Sequence, residues 1–157
     1  MSITVNGKDF EEQFKRQWKK SFPDGDIVRF HDIQYGYKNI SGLCDFACYN
    51  FPLLFYIDCK AHKGASIPFS AIPQYDKLIE KAGIKGIRAG IVLYLYEKEK
   101  IFYVPISTIK QLMDEGKKSV GIKAFEEGYR IIEIPSKKLR VFMDSDYTVL
   151  MNTEEGE

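Results

Sequence analysis

The spacing of apolar residues changes along the chain, and each change predicts an element. Phe10, Phe14, Trp18 and Phe22 recur at every fourth position, which is one stripe of an amphipathic helix. Asn6 can cap its start, with Asp9 three residues on as in a capping box and Val5 and Phe10 placed for a hydrophobic staple. Pro23-Asp24-Gly25 is a turn sequence that stops it. Ile27 to Phe30 reads as a short strand, and a polar loop containing Gly36, Asn39 and Gly42 follows. Leu43 to Tyr49 and Leu53 to Lys60 are two strands around Asn50-Phe51-Pro52, a hairpin signal. Ala61 to Pro68 is a basic, glycine-containing loop. Ser70 to Ala82 reads as a helix, with Ser70 as cap, Pro73 in its first turn and Gly83 to Gly86 at its end.

The long apolar run Ile87 to Tyr96 predicts a buried central strand. Glu97 to Lys100 is a charged turn into a strand at Ile101 to Pro105. Ser107 is placed to cap a helix ending near Gly116, and Ile131 to Ile134 and Leu139 to Phe142 read as short strands. The pattern implies a single domain of the α/β or α+β class. Its core spans about residues 7–106, an appendix about 107–150, and an acidic tail 151–157.

Alternation along the hairpin brings chemistry into view. On the second strand Asp58 and Lys60 share a face with Leu54 and Tyr56; on the first, Asp45 shares one with Leu43, Ala47 and Tyr49. A carboxylate in an apolar hairpin is costly unless its charge is compensated, and two brought together repel. A divalent metal would relieve both costs. On the first helix Glu11 projects between Trp18 and Phe22, whereas Glu12 projects to the charged side. Glu11 either joins the aspartates or pairs with Lys15 at the edge of the stripe, and the projection leaves both open. Carboxylate oxygens suit magnesium or manganese, which polarise a phosphodiester and acidify a bound water; a neighbouring lysine can orient that water. The expected chemistry is phosphodiester hydrolysis.

Composition alters this picture little. A net charge of +1 does not by itself mark a nucleic-acid binder. The cations are grouped, however: Lys15, Arg16, Lys19 and Lys20; Lys60, His62 and Lys63; Lys137, Lys138 and Arg140. Several such groups raise the odds of a polyanionic partner. Cys44, Cys48 and Cys59 lack a tight paired spacing, so buried thiols are favoured over a zinc site shared with His31 or His62. No apolar run is long enough to span a bilayer and no signal peptide opens the chain, so no membrane partner and a cytoplasmic location are expected.

Several segments together resemble a known family. Gly7-Lys8-Asp9-Phe10-Glu11 is similar to the opening helix of Holliday junction resolvases of the PD-(D/E)xK nuclease superfamily. Ser41-Gly42-Leu43-Cys44-Asp45-Phe46 resembles their first metal-binding strand, and Tyr56-Ile57-Asp58-Cys59-Lys60 their (D/E)xK strand. Gln74-Tyr75-Asp76 resembles the helix that follows, where these enzymes often carry a glutamine near the site. The likeness is to RecU-type resolvases, especially the short versions encoded by bacteriophages. It covers about residues 7–106, and more weakly 137–150. Cys44 replaces the proline of the motif's name, and Asp58 stands where this family more often has glutamate.

The resemblance implies a restriction-endonuclease-like α/β domain, with a mixed central β-sheet flanked by helices. It implies structure-selective cleavage of four-way junctions and other branched DNA by a homodimer in a bacterial cytoplasm. Asp45 and Asp58 would bind Mg²⁺ (Mn²⁺ substituting) with the Cys59 backbone carbonyl, Glu11 would complete the set, Lys60 would position the attacking water, and Gln74 would support the water or the phosphate. Lys15, Lys19 and Lys63 would contact DNA. Tyr35, Tyr37 and Lys38 would form a reduced version of the stalk that cellular relatives insert into the junction. Phe102, Tyr103 and the region around Phe142 and Tyr147 are the apolar surface expected at a dimer interface. Two rivals stand beside this reading: a nuclease of the same fold acting on ordinary duplex DNA, and a catalytically idle DNA-binding protein.

Overall fold

The structure is a computed structural model that describes residues 5–31, 33–35, 38–40, 42–140 and 142–152. Helix α1 spans Gly7–Ser21, and the Asn6 side chain caps it by accepting the Lys8 backbone N–H at 2.8 Å. Its aromatic stripe is the seed of one core. Phe10, Phe14, Trp18 and Phe22 are all buried, and Trp18 stacks within 4.4 Å of Phe22 and 5.5 Å of Phe55.

Next come β1 (Asp26–Arg29), a small hairpin of β2 (Ile33–Tyr35) and β3 (Lys38–Ile40), then β4 (Phe46–Asn50) and β5 (Leu53–His62). After these lie β6 (Ser66–Pro68), a 3₁₀ turn at Phe69–Ala71, helix α2 (Tyr75–Ile79), β7 (Ile87–Leu95) and β8 (Lys100–Pro105). The chain closes with α3 (Ile106–Asp114), β9 (Ser119–Gly121), α4 (Ile122–Glu126), β10 (Ile132–Glu133), β11 (Ser136–Lys138), β12 (Met143–Ser145) and a 3₁₀ helix at Tyr147–Asn152.

Six strands form one mixed sheet in the order β1-β4-β5-β7-β8-β10. Its β5–β7 pair is parallel and its other pairs are antiparallel. Alternation splits each strand between two cores. Phe55, Ile57, Val92, Ile101 and Tyr103 face α1, whereas Ile91, Leu93, Phe102 and Val104 face α2 and α3. β7 is buried almost end to end, as its apolar run predicts.

Several expected elements differ. Within the expected polar loop, Ile33–Tyr35 and Lys38–Ile40 pair as β2 and β3, with Ile33 opposite Ile40; Gly36 lies outside the described residues. The helix expected over 70–82 shrinks to five residues, because successive tight turns (Ile72 N–H to Phe69 O, Tyr75 N–H to Ile72 O) bracket Pro73, which has no N–H to donate. Ser70 therefore caps nothing, and α3 starts directly after Pro105 with no cap from Ser107. The strand expected over Leu139 to Phe142 does not form: Leu139, Arg140 and Phe142 lie between β11 and β12, where the Leu139 N–H donates to Phe142 O at 2.8 Å, and Val141 lies outside the described residues.

The C-terminal segment packs back on α1. Ser145 N–H donates to Gln17 Oε1 at 3.1 Å, Tyr147 N–H to Ser21 Oγ at 3.0 Å, and the Tyr147 ring meets Phe14 edge-on at 5.0 Å. This corrects the expected interface: Phe102 (2% exposed), Tyr103 (0%) and Tyr147 (1%) close the cores and offer no surface to a partner. Large apolar side chains that do reach solvent include Val28, Tyr49 and Phe51, along the β1–β4 side of the sheet and its hairpin turn.

Candidate active site

Strand β5 carries Asp58 and Lys60 on its α2-facing side, two residues apart. The Asp58 side chain is closed off from solvent; neither of its oxygens accepts a hydrogen bond of good geometry, and the Lys60 ammonium lies 3.0 Å from Oδ2 as an ion pair. Asp45 sits just before β4. The β4–β5 ladder ends at Phe46 opposite Ile57, so the Cys59 N–H lies beyond it and goes instead to Asp45 Oδ2 at 2.8 Å. The two turns that replace the long helix set Gln74 at the head of α2.

The carboxyl groups form a chain. Asp45 is within hydrogen-bond reach of Asp58 on one side and Glu11 on the other. Each end carries a cation, Lys60 on Asp58 and Arg29 on Glu11, the latter at 2.9 Å. Burial, and then the Asp58 charge, push the Asp45 carboxyl up to about 6; the Cys59 N–H opposes them. Burial also lifts Asp58 above the usual range, with Lys60 pulling it back, and lifts Glu11, with Arg29 pulling it back. Among the described residues no group of three or more His, Cys, Asp or Glu side chains is placed to hold a metal ion. The three cysteines are free thiols, all buried, and Cys44 Sγ donates to Phe46 O.

Two clefts open on this chain. The smaller, about 330 Å³, is lined by Lys8, Glu11, Arg29, Asp45, Cys59 and Gln74 among others. Gln74 Oε1 in its wall is buried and has no hydrogen-bond partner. The wider, about 610 Å³, runs along α1 past Lys8, Glu11, Glu12, Lys15, Arg16, Lys19 and Arg29, with Glu12 on its exposed rim.

The sequence-derived residues therefore fall into three groups. Glu11, Asp45, Asp58, Lys60, Cys59 and Gln74 are brought together. Lys15 and Lys19 line the adjoining cleft, while Lys63 stands apart on the loop after β5, where His62 Nδ1 lies 2.8 Å from its carbonyl. Tyr37 lies outside the described residues, and of Lys38 only the backbone is described. Glu11 pairs with Arg29 rather than Lys15. Sequence reasoning passed over Arg29, although alternation in β1 puts it on the same face as buried Ile27, which is a signal for an inward cation.

No protein-family model matches the chain, and no curated protein sequence does. Among solved structures its fold is similar to that of Hjc, a Holliday junction resolvase from the archaeal hyperthermophile Archaeoglobus fulgidus. The TM-score is 0.57 over 78% of this chain and 94% of that one, at 18% sequence identity. The chain has a restriction-endonuclease-like fold. At that identity the likeness is one of fold, and in the restriction-endonuclease-like frame Glu11, Asp45, Asp58 and Lys60 meet at one end of the central sheet.

Proposed function

We propose that the chain is a structure-selective endodeoxyribonuclease that resolves four-way DNA junctions by Mg²⁺-dependent phosphodiester hydrolysis, of the short RecU type that bacteriophages encode. The observation that carries this reading is the partly buried carboxyl chain Glu11–Asp45–Asp58 with Lys60 at its end, opening onto a cleft that Lys8, Lys15, Arg16, Lys19 and Arg29 line.

The chemistry of these carboxyls suits a hard divalent cation, which would have to draw them together, since their side chains are not gathered into a ready three-donor group. Burial raises all three carboxyls above their usual range, the Asp58 oxygens lack good hydrogen bonds, and a cation would offset both penalties. Asp45, Asp58 and the Cys59 carbonyl would hold Mg²⁺ or Mn²⁺, with Glu11 completing the set. When bound, the metal would polarise the phosphodiester and acidify a water.

The chain's own groups supply the rest. Lys60 orients the attacking water and stabilises the charge that develops on the phosphoryl oxygens. Gln74 Oε1, shut in the cleft wall without a donor, accepts a hydrogen bond from that water. The Arg29 guanidinium borders both clefts and can hold a phosphate oxygen as DNA enters. Lys15 and Lys19 steer the backbone along α1, and Lys63 meets it beyond β5. One such carboxyl chain per protomer serves one strand, so paired cuts call for two protomers.

A panel of four-way junction, fork and linear duplex, each with Mg²⁺ and with EDTA, tests the reading. Metal-dependent symmetric cleavage preferring the junction is expected. Equal cleavage of linear duplex would make this a general nuclease of the same fold. Binding without cleavage in Mg²⁺ or Mn²⁺ would make it a catalytically idle DNA-binding protein.

A further inference from the structure

The basic group Lys137, Lys138 and Arg140 takes no part in either cleft, yet it has a defined position. β11 and β12 form a two-stranded ribbon. β12 turns Met143 and Ser145 inward, while all three residues of β11 are exposed. The ribbon is anchored on α1 by Ser145 and Gln17, and by Lys20, which holds Asp144 at 2.7 Å. Lys138 shares the inward face with Met143 and reaches Glu99 at 2.7 Å. Glu99 lies in the β7–β8 turn. Because β7 runs parallel to β5 with His62 opposite Leu95, that turn lies beyond the end of β5 that carries Lys60. The ribbon tip therefore stands at the same end of the sheet as the carboxyl chain. It lies on the flank of α1 defined by Gln17 and Ser21, well over a quarter-turn from Lys15 and Lys19.

Lys137 lies on the outward face and Arg140 in the bend; among the described residues neither joins an ion pair. Leu139 between them is 37% exposed, and the turn is fixed by its N–H on Phe142 O. A held ribbon that offers two uncommitted cations around one apolar side chain matches a sugar–phosphate backbone: phosphates for the cations, a deoxyribose face for the leucine.

We propose that the β11–β12 ribbon is a second DNA-contacting element, in which Lys137 and Arg140 engage backbone phosphates of a duplex segment passing the ribbon side of α1. This rests on the nuclease reading above. The contact is independent of sequence and adds affinity without touching the reacting phosphate.

The test compares the full-length protein with Lys137→Ala/Arg140→Ala and with the charge reversal Lys137→Glu/Arg140→Glu. Binding to a synthetic four-way junction in EDTA is followed by fluorescence anisotropy across salt. For the alanine variant the log–log salt slope should flatten by about two, and Kd should rise at least about threefold near physiological salt. The reversal should weaken binding further. Thermal midpoint and turnover at saturating DNA should stay at wild-type values, since both side chains are exposed and line neither cleft that holds the carboxyl chain. An unchanged slope and Kd in both variants, with wild-type protein binding the junction, would overturn the ribbon contact alone. Failure of wild-type protein to bind any DNA would overturn the nuclease reading and the ribbon contact with it.

Discussion

Asp45 stands where burial and the Asp58 charge both oppose its ionisation, which sets a testable balance between stability and chemistry. Its folded carboxyl titrates near about 6, against an ordinary value of 3.8. The native state therefore holds the proton more tightly than the unfolded chain does. The resulting stability is complete below about pH 4 and is lost as pH rises through about 6. Asparagine keeps an oxygen to accept the Cys59 N–H but carries no charge. Asp45→Asn should abolish junction cleavage while raising the thermal midpoint, more at about pH 8 than at about pH 5; calorimetry at the two pH values checks it, and a lower midpoint at pH 8 would contradict it. Lys60→Ala should cut turnover by at least about two orders of magnitude at unchanged junction affinity, the size of losing one preorganised electrostatic group. A change confined to Kd would make Lys60 a DNA-binding residue instead. Glu11→Gln should impair single-turnover cleavage and Glu12→Gln, on the exposed side of α1, should leave it nearly intact. Asp58 and Lys60 can be placed on one face because strand alternation fixes a direction from spacing alone, whereas the helical projection leaves Glu11 open between the aspartates and Lys15. Arg29 was not legible, since its partner Glu11 lies 18 positions away and is joined to it only by the fold. Gln74 was visible only through resemblance, because the turns that carry it into the cleft have no periodicity.

Elements with a strong period were read correctly and those built from turns were not. The aromatic stripe of α1 and the apolar run of β7 commit a dozen or so residues each to one environment, so no local detail can redirect them. Ile72, Tyr75, Leu78, Ile79 and Ala82 mimic a longer helix, but only Tyr75, Leu78 and Ile79 lie in the short α2; Ile72 closes the 3₁₀ turn before Pro73, and Ala82 falls in the turns after α2. The β2–β3 hairpin has too little alternation to announce itself. Leu139 and Phe142 are strand-forming residues that tertiary pairing leaves between β11 and β12. Packing adds a constraint that periodicity does not reveal. Gly90 lies in the middle of β7, and a Cβ there would meet Val104 O at 2.5 Å and the Tyr103 ring at 2.9 Å. Both neighbours are fully buried, so neither can yield without disturbing a core. Gly90→Ala should therefore cost about 1–3 kcal/mol and lower the thermal midpoint by about 2–12 °C. A midpoint within about 1 °C of wild type would show that the β7–β8 pair can separate locally at small cost.

The chain offers one carboxyl chain, whereas the proposed substrate, a four-way junction, has near-twofold symmetry and needs two cuts in strands of like polarity. A C₂ dimer supplies both the second site and the matching symmetry. The aromatics expected at such an interface are interior, which leaves surfaces such as the one bearing Val28, Tyr49 and Phe51 to be tested rather than Phe102 or Tyr103. Sedimentation at micromolar protein should give twice the mass of the 157-residue chain. Mixing provides a sharper readout. If wild-type and Asp45→Asn protomers are co-refolded at equal amounts, about half of the dimers should hold one working site. On a junction carried by a supercoiled plasmid these should leave a nicked circle, while wild-type dimers linearise it by coordinated cuts. The nicked fraction should follow the population of mixed dimers, rising up to an equal mixture and falling beyond it. A monomeric sedimentation coefficient at concentrations that still give paired, symmetric incisions would rule out the dimer, as would a nicked fraction that ignores the mixing ratio.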